Sequence, residues 1–414
     1  MQKHETEDYA FCCRTDDNDL VWHQEIGGEG KDPAGGGIWG GPVSGGQGGS
    51  GGLHTVCYMT ALDYKKGYDW RSDQARETVK CSLVVFADGV PVMKVPVGTD
   101  YETGSDPDMH RIAGGNLYTD YSSDSETVIK RNGVQLFRYR GPESLYGLEV
   151  MGGDVYTLGQ SRDGCGFTFR KNGEIIIERS EGILIGNLVN DNDSLCFAFR
   201  EQIRTADGEI GRYYSFVNGK VNQIAVRDDI KSVWDILPVK DRTVYLASLA
   251  GVRSPVLFDG NVMTTLQVPM GFSMVSCRLF PAEGSIGVEG LCRHDNGRWF
   301  SAIWLDGRLC ASFMEEEITS LTVDGSGVCC TIDPARNGST GIIYRSEELF
   351  DMPENYSVIS ASCIKVIDGI LHVGLSSLVG EKPVVWKDGQ IDSLNINGFI
   401  SSIHIESASG SVFP

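Results

Sequence analysis

The chain has 414 residues, with 36 Lys or Arg against 56 Asp or Glu, for a formal charge of −20. Such a surface repels phosphate backbones and anionic headgroups, which excludes a nucleic-acid partner. No apolar run approaches the roughly 20 residues that a spanning helix needs, and MQKHETEDYA has no basic stretch followed by an apolar one, so no transmembrane segment or leader peptide is expected in this sequence.

Residues 9–26 read as a hairpin, Tyr9 to Arg14 and Leu20 to Glu25 around Asp16-Asp17-Asn18-Asp19. Residues 27–52 follow with 14 glycines in 26 positions, too little apolar surface to offset the entropy of ordering, and are expected to form a flexible insertion. Gly28-Glu29-Gly30-Lys31 is not a phosphate loop, because Asp32 stands where Ser or Thr should follow the lysine and no strand-to-helix context surrounds it. The expected organisation is an N-terminal extension over 1–26, the Gly-rich insertion over 27–52 and a repeat domain over 53–414.

From residue 53 a turn unit recurs. Asp88-Gly89, Asn132-Gly133, Asn172-Gly173, Asn218-Gly219, Asp259-Gly260 and Asp306-Gly307 follow one another at 40–47 residues, and Asp388-Gly389 comes two periods later, with a degraded unit at Tyr344 to Glu348 between. Asn or Asp followed by Gly between apolar runs is the type I′ hairpin signal, since both turn residues need positive φ. One unit shows the strand order: Leu145 to Met151, a Gly152-Gly153 turn, Asp154 to Gly159, Gly166 to Arg170, and Glu174 to Arg179. Four strands per unit at this period predict an all-β, eight-bladed β-propeller, with seven blades as the alternative. No convincing amphipathic helix interrupts it, which excludes a βα alternation. Asp88-Gly89 lacks a first strand before it, while Ile400 to Glu406 is a first strand with nothing after it. The C-terminal strand is therefore expected to close the ring beside Val56 to Met59.

Gly153-Asp154-Val155-Tyr156 with Phe169-Arg170-Lys171-Asn172-Gly173, and the later Val384-Val385-Trp386-Lys387-Asp388-Gly389, resemble the repeat of exported β-propeller proteins common in Bacteroidetes, approximately G-D-V-Y-V-x-G, a spacer, then Y-W-K-N-G. The resemblance spans residues 80–406. It implies a propeller placed in the periplasm or at the cell surface, and no catalytic residue. WD40 and kelch signatures are not supported.

Twelve cysteines include the vicinal pairs Cys12-Cys13 and Cys329-Cys330, but no CxxC pair. Most lie inside apolar runs, where a thiol acts as a small hydrophobe, so buried thiols without bridges are expected.

Aligned first strands carry a polar residue at one position: Arg111, Glu149, Asn187, Asp235, Arg278, Thr322, Lys365 and His404. Innermost strands line the channel, so this column is expected to face the axis at one depth, either as a wet tunnel of balanced charges or as a binding or catalytic centre. Other motifs are weaker. Ser161 to Phe169 resembles a sialidase Asp-box with one residue inserted, a turn element. Asp191-Asn192-Asp193 and Asp16 to Asp19 lack the glycine and distal glutamate of a calcium loop. His294-Asp295 has no nucleophile motif. The reading is a monomeric, non-catalytic binding or scaffold propeller of the cell envelope engaging a glycan or protein, without cofactor or metal. The alternative is a glycoside hydrolase or polysaccharide lyase using Glu149 and Asp235 as a carboxylate pair.

Overall fold

The computed structural model describes residues 54–408 apart from 66–79, 99–109, 123–125, 142, 163, 192–193, 206–207, 240–241, 283, 326 and 335–340. The N-terminal hairpin, the Gly-rich insertion, Cys12 and Cys13 lie outside these residues. The described secondary structure is entirely β, in eight sheets that follow one another as blades.

Blade 1 runs Gly398–Ala408, His54–Tyr64, Cys81–Ala87 and Val90–Gly98 from inside to outside. Blades 2 and 3 are built by Arg111–Ala113, Asn116–Ser122, Glu126–Arg131 and Val134–Arg140, then Glu143–Met151, Asp154–Ser161, Phe167–Lys171 and Glu174–Arg179. Blade 4 uses Ile183–Asp191, Ser194–Thr205, Gly208–Val217 and Lys220–Ile224, and blade 5 Ile230–Val239, Arg242–Leu249, Val256–Asp259 and Val262–Thr265. Blade 6 comprises Phe272–Ala282, Ser285–His294, Trp299–Leu305 and Arg308–Met314, and blade 7 Glu316–Asp324, Gly327–Pro334, Ile342–Arg345 and Glu348–Asp351. In blade 8 both Tyr356–Ser357 and Ile364–Ile367 pair with Ile370–Ser377, followed by Val384–Lys387 and Gln390–Ser393.

The ring closes as the orphan C-terminal strand requires. Val56 pairs with Glu406, Cys57 with Ile405, Tyr58 with His404 and Met59 with Ile403. Glu406 then reaches blade 2, where its carboxylate accepts the Gly114 and Gly115 N–H groups at 2.5 and 3.3 Å. A two-glycine turn with both residues at positive φ aims successive N–H groups at one point, a small anion nest that the protein fills with its own side chain.

The repeating dipeptide does more than bend the chain. Asp88, Asn132, Asn172, Asn218, Asp306 and Asp388 all have φ between 42° and 52°. Their side-chain oxygens accept the N–H of Cys57, Leu117, Val155, Leu195, Ile286 and Leu371 on the second strand, at 2.8–3.2 Å. The carbonyls of these same second-strand residues accept the N–H of the turn residue, so the outer hairpin is pinned two ways to the strand inside it. Only Asn or Asp offers both tolerance of the left-handed region and an oxygen at that reach. Two blades depart. In blade 5 the turn slides one residue to Gly260-Asn261, and Asp259, expected in the left-handed region, stays in the strand paired with Val244; Gly at the first turn position makes this a type II′ hairpin. In blade 7 Ser346 and Glu347 take positive φ of 47° and 77°, and the Ser346 N–H donates to the Val328 carbonyl at 3.0 Å.

Second strands are buried on both faces because each blade is flanked by two others. Leu195, Cys196, Phe197, Ala198 and Phe199 are all buried, whereas the outermost Glu174–Arg179 and Gln390–Ser393 are largely exposed. Seams between blades hold the core. Blades 3 and 4 meet through Phe167, Phe169, Phe197, Phe199 and Phe216, with Phe197 stacked on Phe216 at 4.7 Å. At the blade 2–3 seam, Arg170 makes a buried bidentate pair with Glu143 at 2.6 and 2.8 Å under the Tyr139 ring. Cys57, Cys81, Cys196, Cys292, Cys329, Cys330 and Cys363 are buried, Cys277 is half-buried, and Cys165 and Cys310 are exposed. Burial pushes the Cys57, Cys292 and Cys329 thiols up to about 12, the behaviour of packing groups and not of nucleophiles.

Candidate functional site

All eight residues of the polar column lie on innermost strands, one per blade. Their depths differ. In each of the seven blades whose two inner strands form a hairpin, the residue three positions before the two-residue inner turn faces the second-strand residue that pairs with the last residue before the outer turn. That slot holds Arg111, Glu149, Thr322 and Lys365 in blades 2, 3, 7 and 8, opposite Tyr118, Tyr156, Cys329 and His372. His404, opposite Tyr58, has the same relation to the outer turn in blade 1. In blades 4, 5 and 6 the slot belongs to Val189, Leu237 and Phe280, opposite Cys196, Val244 and Gly287. Asn187, Asp235 and Arg278 stand two residues earlier, about 7 Å away along the strand. The expected single ring is therefore two arcs. Counting back three residues from each inner turn would have found the offset, because these hairpins run two residues further past the polar position.

In the larger arc the charged groups work on one another. Arg111 Nε donates to Glu149 Oε1 at 2.9 Å, and Arg111 Nη1 donates to the His110 carbonyl. Burial raises the Glu149 carboxyl above its ordinary range, and Arg111 opposes that rise. His404 Nε2 shares a hydrogen bond with Ser402 Oγ at 2.7 Å, and Ser402 in turn meets Thr60 Oγ1 on the neighbouring strand. Burial, then the charges of Arg111, His110 and Lys365, hold His404 well below its usual value, so it is neutral at pH 7. Thr322 is half-buried on the same level.

The smaller arc engages the backbone instead. Asp235 Oδ2 accepts the Leu279 N–H of blade 6 at 2.6 Å and Oδ1 accepts the Ile236 N–H at 2.8 Å, so both oxygens serve as a clasp between blades 5 and 6. Burial raises its carboxyl to about 6, against the pull of those two N–H groups and of Arg278. Asn187 is exposed inside an irregular stretch of its strand. Arg278 is exposed and donates through Nε to Glu289 Oε2 at 2.6 Å on the next strand of its own blade.

At Arg278 the inner ring opens into a groove of about 700 Å³ between blades 6 and 7. Its walls carry Arg278, Glu289, Arg293, Trp299 and Glu317, over an apolar floor that includes Leu291 and Ile318. The groove exists because the second strand of blade 6, SIGVEGLCRH, departs from the apolar run of its counterparts. Glu289 replaces a core residue. Gly287 leaves room for the Phe280 ring, whose atoms would lie 2.1 Å from a Cβ there. A charged residue flanked by glycines in an otherwise apolar second strand was a signal present in the sequence, and a polar-column search restricted to first strands passes over it.

The remaining motifs are structural. In the Asp-box-like segment, Gln160 Nε2 donates to the Gly166 and Gly182 carbonyls while its Oε1 accepts the Leu184 N–H; Asp163 lies outside the described residues. His294 caps a turn by accepting the Asn296 N–H and packs edge-on to Phe272. Asn192, Asp193 and Asp16 to Asp19 are outside the described residues.

No family model matches this chain, and no curated protein matches it. Among solved structures it is similar to the β-propeller domain of the Trilobed protease from Pyrococcus furiosus, at 10% identity over 83% of this chain and 92% of that one, with a TM-score of 0.38. It is similar to BamB from Moraxella catarrhalis at 10% identity, 77% and 95% coverage and a TM-score of 0.41. Against a puromycin-hydrolysing peptidase from Mycobacterium tuberculosis the values are 9%, 70% and 53%, and 0.42, so the chain spans about half of that protein. All three scores lie below 0.5. The propeller assignment rests on the strand pairing above, and these likenesses lend no activity to the chain. Among the described residues, no helix is long and apolar enough to cross a membrane.

Proposed function

We propose that the protein is a non-catalytic binding propeller, which engages a glycan or protein through the polar side of its inner ring. The observation that carries this reading is the engagement of both inner-ring carboxylates. Glu149 is tied to Arg111, and Asp235 spends both oxygens on backbone N–H groups one level away. A glycosidase needs two carboxyl groups facing one bond across an open cleft, one to protonate and one to attack or activate water. The resemblance to exported propeller repeats supports placement in the cell envelope. The test is incubation of the purified chain with polysaccharide and glycoside panels, followed by assay for new reducing ends or unsaturated products. Binding without product is expected. Product formation abolished by Glu149→Gln or Asp235→Asn would overturn the reading and favour the hydrolase or lyase.

A further inference from the structure

We infer that the groove between blades 6 and 7 is a saccharide site for a neutral pyranoside, an inference that rests on the binding-propeller reading and names its ligand class. Three features point there. First, Trp299 is half-buried at the groove wall, and its indole makes no hydrogen bond or ring contact among the described residues. A half-exposed indole in a groove offers apolar area to the C–H face of a sugar ring.

Second, the Arg278–Glu289 pair is joined by one bond only, Nε to Oε2. Both Nη groups of Arg278 and Oε1 of Glu289 have no protein partner among the described residues. A guanidinium and a carboxylate held side by side present donors and an acceptor in one place. They match two vicinal hydroxyls, one accepting from Nη and the other donating to Oε1.

Third, the charge of the groove is balanced. Arg278 and Arg293 face Glu289 and Glu317, on a chain whose formal charge is −20. A polyanion is repelled by the surrounding surface, and a polycation meets two arginines at the site. A neutral ligand rich in hydroxyls and apolar on one ring face fits what remains. Ser276 adds a hydroxyl in the same lining, while the buried Ser301 hydroxyl donates to the Glu316 carbonyl at 2.8 Å.

The experiment is an array of neutral hexose, pentose and N-acetylhexosamine oligosaccharides printed beside uronate-bearing ones and charged peptides, followed by calorimetry on the best ligand. Trp299→Ala and Glu289→Gln are each expected to weaken neutral-saccharide binding at least tenfold, with Trp299→Phe staying within about threefold because it keeps a ring face. Unfolding midpoints are measured alongside, and Trp299→Phe keeps the test decisive if an alanine variant unfolds. No saccharide binding, binding confined to uronates or peptides, or neutral binding unmoved by Trp299→Ala and Glu289→Gln would overturn the site. Product release from a bound saccharide would instead sink the non-catalytic reading and leave the site standing.

Discussion

Blades 7, 8, 1, 2 and 3 carry their inner polar residue at one depth, while blades 4, 5 and 6 carry it two residues away and fill the common slot with Val189, Leu237 and Phe280. In the first arc, charges settle on one another: Arg111 on Glu149, with His404 kept neutral between cations. In the second, Asp235 clasps the next blade's backbone and Arg278 turns to its own blade at the mouth of a groove. A small shift in hairpin length thus decides whether a polar inner residue closes the ring or lines an opening. The first arc reads as a fastening and the second as a face.

The most severe way to break the first arc is to remove its fastening. Deleting residues 398–414 strips Phe399, Ile400 and Ile403, all buried, from the cores of blade 1, at about 1.5–3 kcal/mol each. That loss approaches the whole stability of an ordinary domain, so the truncated chain is expected to lose its cooperative thermal transition in circular dichroism. A cooperative transition at an unchanged midpoint would show that the seam is dispensable.

Next in size is a matched pair of substitutions. Asp235→Ala leaves the Leu279 and Ile236 N–H groups without their acceptor, at about 1–3 kcal/mol each, and Glu149→Ala takes the carboxylate from Arg111, which keeps its bond to the His110 carbonyl, at about 1–3 kcal/mol in all. Urea denaturation should therefore rank Asp235→Ala as the more damaging. The reverse ranking would mean that the blade 5–6 clasp contributes less than the ion pair.

Acid should separate His404 from Asp235 by sign. The folded pKa of His404 lies below the unfolded value of 6.5, so the folded state resists protonation and stability falls as pH drops below about 6.5. Asp235 has a folded value near 6 above an unfolded 3.8, so its contribution is full below 3.8 and is lost as pH rises through 6, a swing of roughly 2–3 kcal/mol. Stability curves measured against His404→Gln should diverge from wild type below pH 6.5, with wild type losing ground. Against Asp235→Asn they should diverge between about pH 4 and 6, with wild type gaining as pH falls. Parallel curves in either window would remove that group from the account.

The outer turns range from an effect of similar size down to the smallest. Asn172→Ala forfeits the Val155 bond and places a Cβ-bearing residue without local hydrogen bonding at positive φ, at about 1–3 kcal/mol. Asp259→Ala, in the blade whose turn slid, should stay within about 0.5 kcal/mol, because Asp259 is extended and loses only an exposed ion pair to Arg242. Glu347→Gly should raise stability by up to about 1 kcal/mol by relieving a non-glycine residue at φ 77°. Thermal midpoints of the three variants check the order.

Blade count, strand order, closure by Ile400 to Glu406 and the burial of most described cysteines were legible in the sequence. Each follows from local rules: the positive φ that Asn-Gly and Asp-Gly tolerate, the alternation of side chains along a strand, and the need to pair an orphan edge. Residues on the inner strands were legible too, but not their depth. Depth depends on where each inner hairpin turns, and Asn187, Asp235 and Arg278 look like their counterparts until that count is made. The partners of these residues are contacts between segments far apart in the chain. Asp235 meets Leu279, and Glu406 meets Gly114 and Gly115, only because the ring brings successive blades edge to edge. The groove beside Trp299 is decided at the same level, by two blades parting where glycines and a buried-side glutamate replace core residues. Periodicity and turn chemistry wrote the architecture into the sequence, and packing between blades chose which of its polar residues fasten the ring and which line a groove.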